Sequence, residues 1–431
     1  MSIYSLPRMR SNRCCGQAAP CYTDIPEDMT ISRHPPCRFA LLALVTGLAA
    51  PALLHAGAWS GYIQSEARVF LHEPADARQH GDNLSLVTEP EYYTEWDDGR
   101  QSFTIEGFLR WDQHDPERSH ADIRELVWLQ AGDSWELRAG ISKVFWGVAE
   151  SQHLVDIINQ TDLVENIDQE DKLGQPLVNL ALIRDWGTVN LFMLPGFRER
   201  TFPGSKGRLR SLPRVDTAHP LYASAAEDRH VDFAIRWSHY IGDWDFGLAH
   251  FSGTTRNPRL LPGLTGSGEA VLVPLYETID QTSLDLQATK GDWLWKLEWL
   301  TRSGQGDRYS ALVGGFEYTA VGIFDTAADL GFIGEYHYDD RGEAAPTPFE
   351  DDIMVGLRLA LNDVQSTEAL FGVIADRKDN ARSYNLEASR RLGDNWTVEV
   401  EARLFSKPAP GDPLYSFRDD DHVQISLARH F

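Results

Sequence analysis

Beyond Cys37 the 431-residue chain has no cysteine; Cys14, Cys15, Cys21 and Cys37 are all it contains. For everything downstream this excludes a disulfide framework, a cysteine metal centre and a lipid-attachment cysteine. Positive charge is scarce too. Forty Lys and Arg stand against 64 Asp and Glu, a formal charge of −24, which argues against a nucleic-acid partner. Amphipathic-helix periodicity is almost absent after Trp59. There is no Gly-rich phosphate loop, zinc-ligand spacing or nucleophile elbow, and no cofactor is expected.

One long apolar run exists, FALLALVTGLAAPALLHAGA at 39–58. Arg33 and Arg38 precede it, and Ala56-Gly57-Ala58 closes it with small residues. This is the layout of a secretory signal peptide, with cleavage expected after Ala58. The alternative, a membrane anchor, is disfavoured because Pro51 and His55 interrupt the run. Met29 is a suitable start, so 29–58 reads as the signal peptide and 1–28 as an over-extended gene start. The folded protein is then expected to span 59–431.

What fills 59–431 is alternation. Val231, Phe233, Ile235 and Trp237 alternate with Asp232 and Arg236; Trp396, Val398, Val400 and Ala402 alternate with Glu399, Glu401 and Arg403. Period-two patterning over ten or so residues gives strands with one apolar and one polar face. About 18 such strands are expected, joined alternately by tight turns and mostly long links, which is the layout of a transmembrane antiparallel β-barrel. Closure satisfies every backbone group in lipid. Tight turns sit beside tryptophan in AGDSWEL, IGDWDFG, KGDWLWKLEWL and LGDNWTV. Trp135, Trp244, Trp293 and Trp396 are therefore expected in an interfacial girdle. The polar faces nominate lumen-facing residues, among them Arg236, Lys296, Glu298, Arg302, Glu335, His337, Arg358, Glu399, Glu401 and Arg403.

The segment 148–175, after the fifth strand, is long and acidic, with Glu150, Asp156, Asp162, Glu165 and Asp168. Leu154, Ile157, Ile158 and Leu163 give its centre an apolar side, and helical turns are expected there. A long link with its own apolar residues packs on something. The next link is basic, with Arg198, Arg200, Arg208 and Arg210. Opposed across a pore, the two would make a transverse field that selects solutes by charge.

Resemblances enter here. In general porins the loop after the fifth strand folds into the lumen, and 148–175 resembles it in position; this implies an in-folded constriction loop. WGVAES followed by NQTD is similar to a signature of uncharacterised proteobacterial outer-membrane barrels, in which Trp-Gly and acid-Ser precede Asn-Pro-x-Asp. Trp146, Gly147, Glu150, Ser151, Asn159 and Asp162 match, and Gln160 stands where proline is usual. The terminal Phe431, after the alternating Val423, Ile425 and Leu427, resembles the signal read by the barrel assembly machinery, although Arg429 departs from it.

These readings converge on a porin-like passive channel for small hydrophilic or charged solutes in the cell outer membrane, not an enzyme. Outer-membrane lipids and lipopolysaccharide are its expected surroundings. Two alternatives stay open. The basic link suits an exporter of an acidic polymer. His250 and Ser252, two apart on one strand face, resemble the pair of an outer-membrane lipid hydrolase.

Overall fold

A computed structural model of the chain describes residues 57–431. The expected gene start 1–28, the expected signal peptide up to residue 56 and all four cysteines lie outside the described residues. The strands in chain order are β1 (Ala58–Phe70), β2 (Asp82–Trp96), β3 (Gln101–Asp112), β4 (His120–Ala131), β5 (Trp135–Ser142), β6 (Gln175–Arg184) and β7 (Gly187–Pro195). After these come β8 (Leu221–Tyr222), β9 (Val231–Ile241), β10 (Trp244–Thr254), β11 (Arg259–Leu264), β12 (Ala270–Tyr276), β13 (Thr278–Lys290) and β14 (Trp293–Ser303). The last are β15 (Tyr309–Ala320), β16 (Asp329–Asp339), β17 (Asp351–Ala360), β18 (Glu368–Asp376), β19 (Arg382–Leu392), β20 (Trp396–Ser406) and β21 (His422–His430).

Eighteen of these form one antiparallel sheet. Each strand pairs with the next along the chain, and β21 returns to β1 with Tyr62 opposite His430 and Val69 opposite Val423. The sheet is therefore a closed barrel without edges. The fold class and strand number match the sequence reading. Three short strands do not belong to it: β8, β11 and β12 pair with one another inside the links 196–230 and 255–277. The fifth strand also ends at Ser142, so the link after it begins before the expected residue 148.

Tight turns gather at one barrel end. Gly242-Asp243 and Gly291-Asp292 each join two strands directly. Gly242 and Gly291 both have φ of 61°, the positive value that a two-residue hairpin needs at its first central position. All long links emerge at the other end.

The alternation puts apolar residues outside and polar ones inside. Ile63, Leu86, Leu109, Phe233, Val355 and Ile425 are exposed, while Glu66, Arg110, Asp285, Glu298, Glu335 and Arg403 are buried. A water-soluble protein does the reverse. Trp293, Trp295 and Trp299 share the outward face of β14. Trp295 stacks on Trp293 at 5.6 Å, and Phe316 and Tyr318 of β15 join the cluster. Trp244, Trp293 and Trp396 are exposed beside their turns.

Candidate functional site: the segment between the fifth and sixth barrel strands

Residues 143–174 join β5 to β6, and their partners lie on strands distributed around the ring. Glu298 of β14 accepts the N–H groups of Val148 and Ala149 at 2.6 and 2.9 Å through one oxygen, and that of Val155 at 3.1 Å through the other. Glu335 of β16 accepts those of Glu150 and Ser151 at 2.7 and 2.9 Å. The Ser151 hydroxyl lies 2.5 Å from Glu335 and 2.6 Å from His337 Nε2. Glu150 itself pairs with Arg358 of β17 at 2.5 Å. These contacts explain why 148–175 contains no helix, contrary to expectation. Its amide hydrogens are taken up by wall carboxylates instead of by carbonyls one turn back.

Apolar contacts complete the docking. Trp146, Val155, Ile157 and Ile158 are buried against Leu177, Phe192, Leu194, Phe251 and Ile279 of β6, β7, β10 and β13. Within this sector the barrel's inward face is apolar, so the segment's apolar side has a matching wall. Asn159 holds the base together. Its Oδ1 accepts Val144 N–H at 2.8 Å, and its amide donates to the Ser142 and Leu173 carbonyls at 2.9 Å.

The acidic residues singled out from the sequence are paired. Asp162, fully buried, accepts from Arg124 at 2.7 Å and from Thr201 at 2.6 Å. Burial works to raise its pKa, but His120 and Arg124 outweigh that and hold it at about 2. Glu165 accepts from Arg110 at 2.8 Å, Asp168 from Arg403 at 2.8 Å, and Asp156 lies 3.1 Å from Lys172. The basic residues find other carboxylates. Arg198 donates to Asp122 at 2.8 Å, Arg208 to Asp420 at 2.6 Å and Arg210 to Asp76 at 2.8 Å. Arg200 donates to Gln160 at 3.2 Å. The two links thus meet at Asp162–Thr201 and Gln160–Arg200. Most of their charges are not opposed across a gap, because carboxylates and guanidinium groups of the wall and neighbouring links pair with them; among the described residues the Arg200 guanidinium bonds only the neutral Gln160, Thr161 and Asn257.

All ten residues nominated as lumen-facing lie on the inward face of their strands. Glu66, Arg110, Arg118 and Arg124 were not nominated. Three of them lie on β1, β3 and β4; Ser65 beside Glu66 and Glu125 beside Arg124 blur the alternation, whereas Arg110 stands between the apolar Leu109 and Trp111. Between the segment and the wall of β1–β3, β20 and β21 a cavity of about 530 Å³ opens to solvent, lined among others by Gln64, Glu89, Lys143, Asp171 and Glu399. Asp171 is exposed to this space yet ringed by protein. That enclosure first, and the charges of Asp168, Glu165 and Asp162 second, push its pKa up.

His120, Asp162 and Glu165 bring three potential metal-ligand atoms together. Arg124 and Arg110 already bond the two carboxylates at 2.7 and 2.8 Å, so a cation there would have to displace two guanidinium groups. Glu350, Asp352 and Asp376 form a second acidic group at the long-link end, with Lys378 3.7 Å from Glu350. His250 and Ser252 do share the outward face of β10. The His250 Nδ1, however, lies 3.0 Å from the Thr282 hydroxyl, and no bond joins it to Ser252 among the described contacts.

No family model and no curated relative matches the chain. Among solved structures it is similar to an engineered protein described under "Asymmetric conductivity of engineered proteins", at 11% identity over 87% of this chain and 100% of that one, with a TM-score of 0.44. It is likewise similar to two substituted forms of the Rhodopseudomonas blastica porin, at 10% and 11% identity, each over 87% of this chain and 100% of theirs, with TM-scores of 0.43.

Proposed function

We propose that the chain forms a water-filled passive channel in the outer membrane of a Gram-negative cell, narrowed by residues 143–174 folded into its lumen. One observation carries the reading. The segment's polar and apolar groups are matched to inward-facing residues, while the outward face is a continuous apolar band. A band of that kind suits lipid tails, and tight turns at one end with long links at the other suit periplasmic and external faces. Lipopolysaccharide would surround the long links, and Phe431 would be read by the assembly machinery.

In this reading solutes diffuse past the segment through the cavity beside β1–β3 and β20–β21. No bond is made or broken. Purified protein in planar bilayers should give discrete conductance steps, and deletion of 150–172 should enlarge them. Absence of steps, or steps unchanged by the deletion, contradicts the proposal. Export of an acidic polymer is less well supported, because Arg198, Arg208 and Arg210 are engaged by carboxylates. Lipid hydrolysis is tested by comparing lipase activity of the wild type with Ser252→Ala; no activity above background is expected in either.

A further inference from the structure

The charges around the cavity are not balanced. Its four basic residues are each held by a carboxylate. Arg110 bonds Glu66 and Glu165 at 3.0 and 2.8 Å, Arg124 bonds Asp162 at 2.7 Å, Lys143 bonds Glu106 at 2.6 Å and Lys172 lies 3.1 Å from Asp156. Three acidic residues of the same lining differ. Among the described residues no cationic group lies within 4.0 Å of the carboxylates of Glu89, Asp171 or Glu399. Asp171 and Glu399 are exposed to the cavity, and Glu89 is bonded by the neutral Tyr62 hydroxyl at 3.0 Å. Glu89 and Glu399 lie on β2 and β20, with β1 and β21 between them, and Asp171 lines the same cavity from the docked segment.

A paired charge presents little field to a passing ion, whereas an unpaired one between low-dielectric walls presents much more. Rings of carboxylates select cations in this way. Resting on the channel reading above, we propose that Glu89, Asp171 and Glu399, when ionised, make the passage selective for small cations and protonated amines over anions. This replaces the transverse field expected from the sequence with a field of one sign. It also disfavours a polyanion as the transported species.

The test is the reversal potential of reconstituted protein under a KCl gradient at about pH 9, above the raised pKa of Asp171, with K⁺ and Cl⁻ as the probes. The wild type should show a potential of the cation-selective sign. Asp171→Asn combined with Glu399→Gln should cut it by about two thirds, since two of the three fixed charges are removed. Glu399→Asp, which keeps the charge, should leave it in place. Raising the salt concentration should shrink the potential of the wild type, because exposed charges are screened. A wild-type potential of zero or of the anion-selective sign overturns the proposal, as does a neutralised double variant with the full potential. Absence of any wild-type current is a different result; it removes the channel reading itself and this inference with it.

Discussion

Glu298 and Glu335 illustrate how single wall residues position the docked segment. Between them they accept five backbone N–H groups, Val148, Ala149, Val155, Glu150 and Ser151. In Glu298→Ala three of those donors lose their acceptor at once. A buried donor left without a partner costs about 1–3 kcal/mol, so the segment should detach locally while the barrel persists. The expected readout is larger, noisier single-channel current. Current indistinguishable from wild type would show that Glu298 does not hold the segment. Both carboxylates were recognisable as inward-facing from alternation alone. Their partners were not, because Val148 and Glu298 are 150 positions apart, and nothing in a strand's pattern says which loop will reach it. The same applies to Asp162 and Glu165. Their acidity is plain in the sequence, but Arg124 and Arg110 belong to strands whose charged faces fit several partners equally well.

At the scale of the element, residues 143–174 depend on an apolar contact as much as on hydrogen bonds. Ile158 is wholly buried in the cluster with Phe192 and Phe251. Ile158→Ala should cost about 2–5 kcal/mol of local stability through lost burial and the cavity left behind. Faster hydrogen exchange across 150–172, with the strands unaffected, is the expected observation; equal protection would speak against the packing. A second device is the ion pair of His153 and Glu170 at 2.9 Å. Burial lowers the His153 pKa, but Glu170, Glu298 and Asp156 outweigh it, and the net shift is upward. The Glu170 pKa moves down, because His153 and Lys172 outweigh its own burial. A histidine with a raised folded pKa stabilises most below its unfolded value and loses that contribution as pH rises through the folded one. A carboxylate with a lowered pKa does so in the opposite direction. The pair therefore contributes between a pH below the usual glutamate range and one above the usual histidine value. Proteolysis within 153–172 should quicken at alkaline pH in the wild type, and His153→Gln should remove that dependence. The position and length of this element were legible from its composition. Its conformation was not, since apolar residues spaced for a helix also fit an irregular segment whose amides find acceptors on a surrounding wall.

For the molecule as a whole, the closed ring and its outward apolar band depend on each other. Val355 lies midway along β17, 54% exposed, between Gly334 and Val373 on neighbouring strands. If this band meets lipid, Val355→Arg should destabilise the barrel by about 2–4 kcal/mol, measured by urea unfolding in bilayers. A negligible change would place the face in water. The number and order of barrel strands followed from period-two alternation because a membrane barrel keeps one face in one solvent along its full length. β8, β11 and β12 leave no such pattern in the sequence because they are short, pair across two separate links and carry no such constraint. In this protein water is expected to fill the space beside residues 143–174 while Val355 faces lipid. The chain beyond Cys37 is free of cysteine, so thiol labelling tests this directly. In reconstituted channels, a charged, membrane-impermeant thiol reagent should react with Asp171→Cys and reduce the current, and should leave Val355→Cys unmodified. Rapid modification of Val355→Cys in the bilayer, with Asp171→Cys unreactive, would contradict the account.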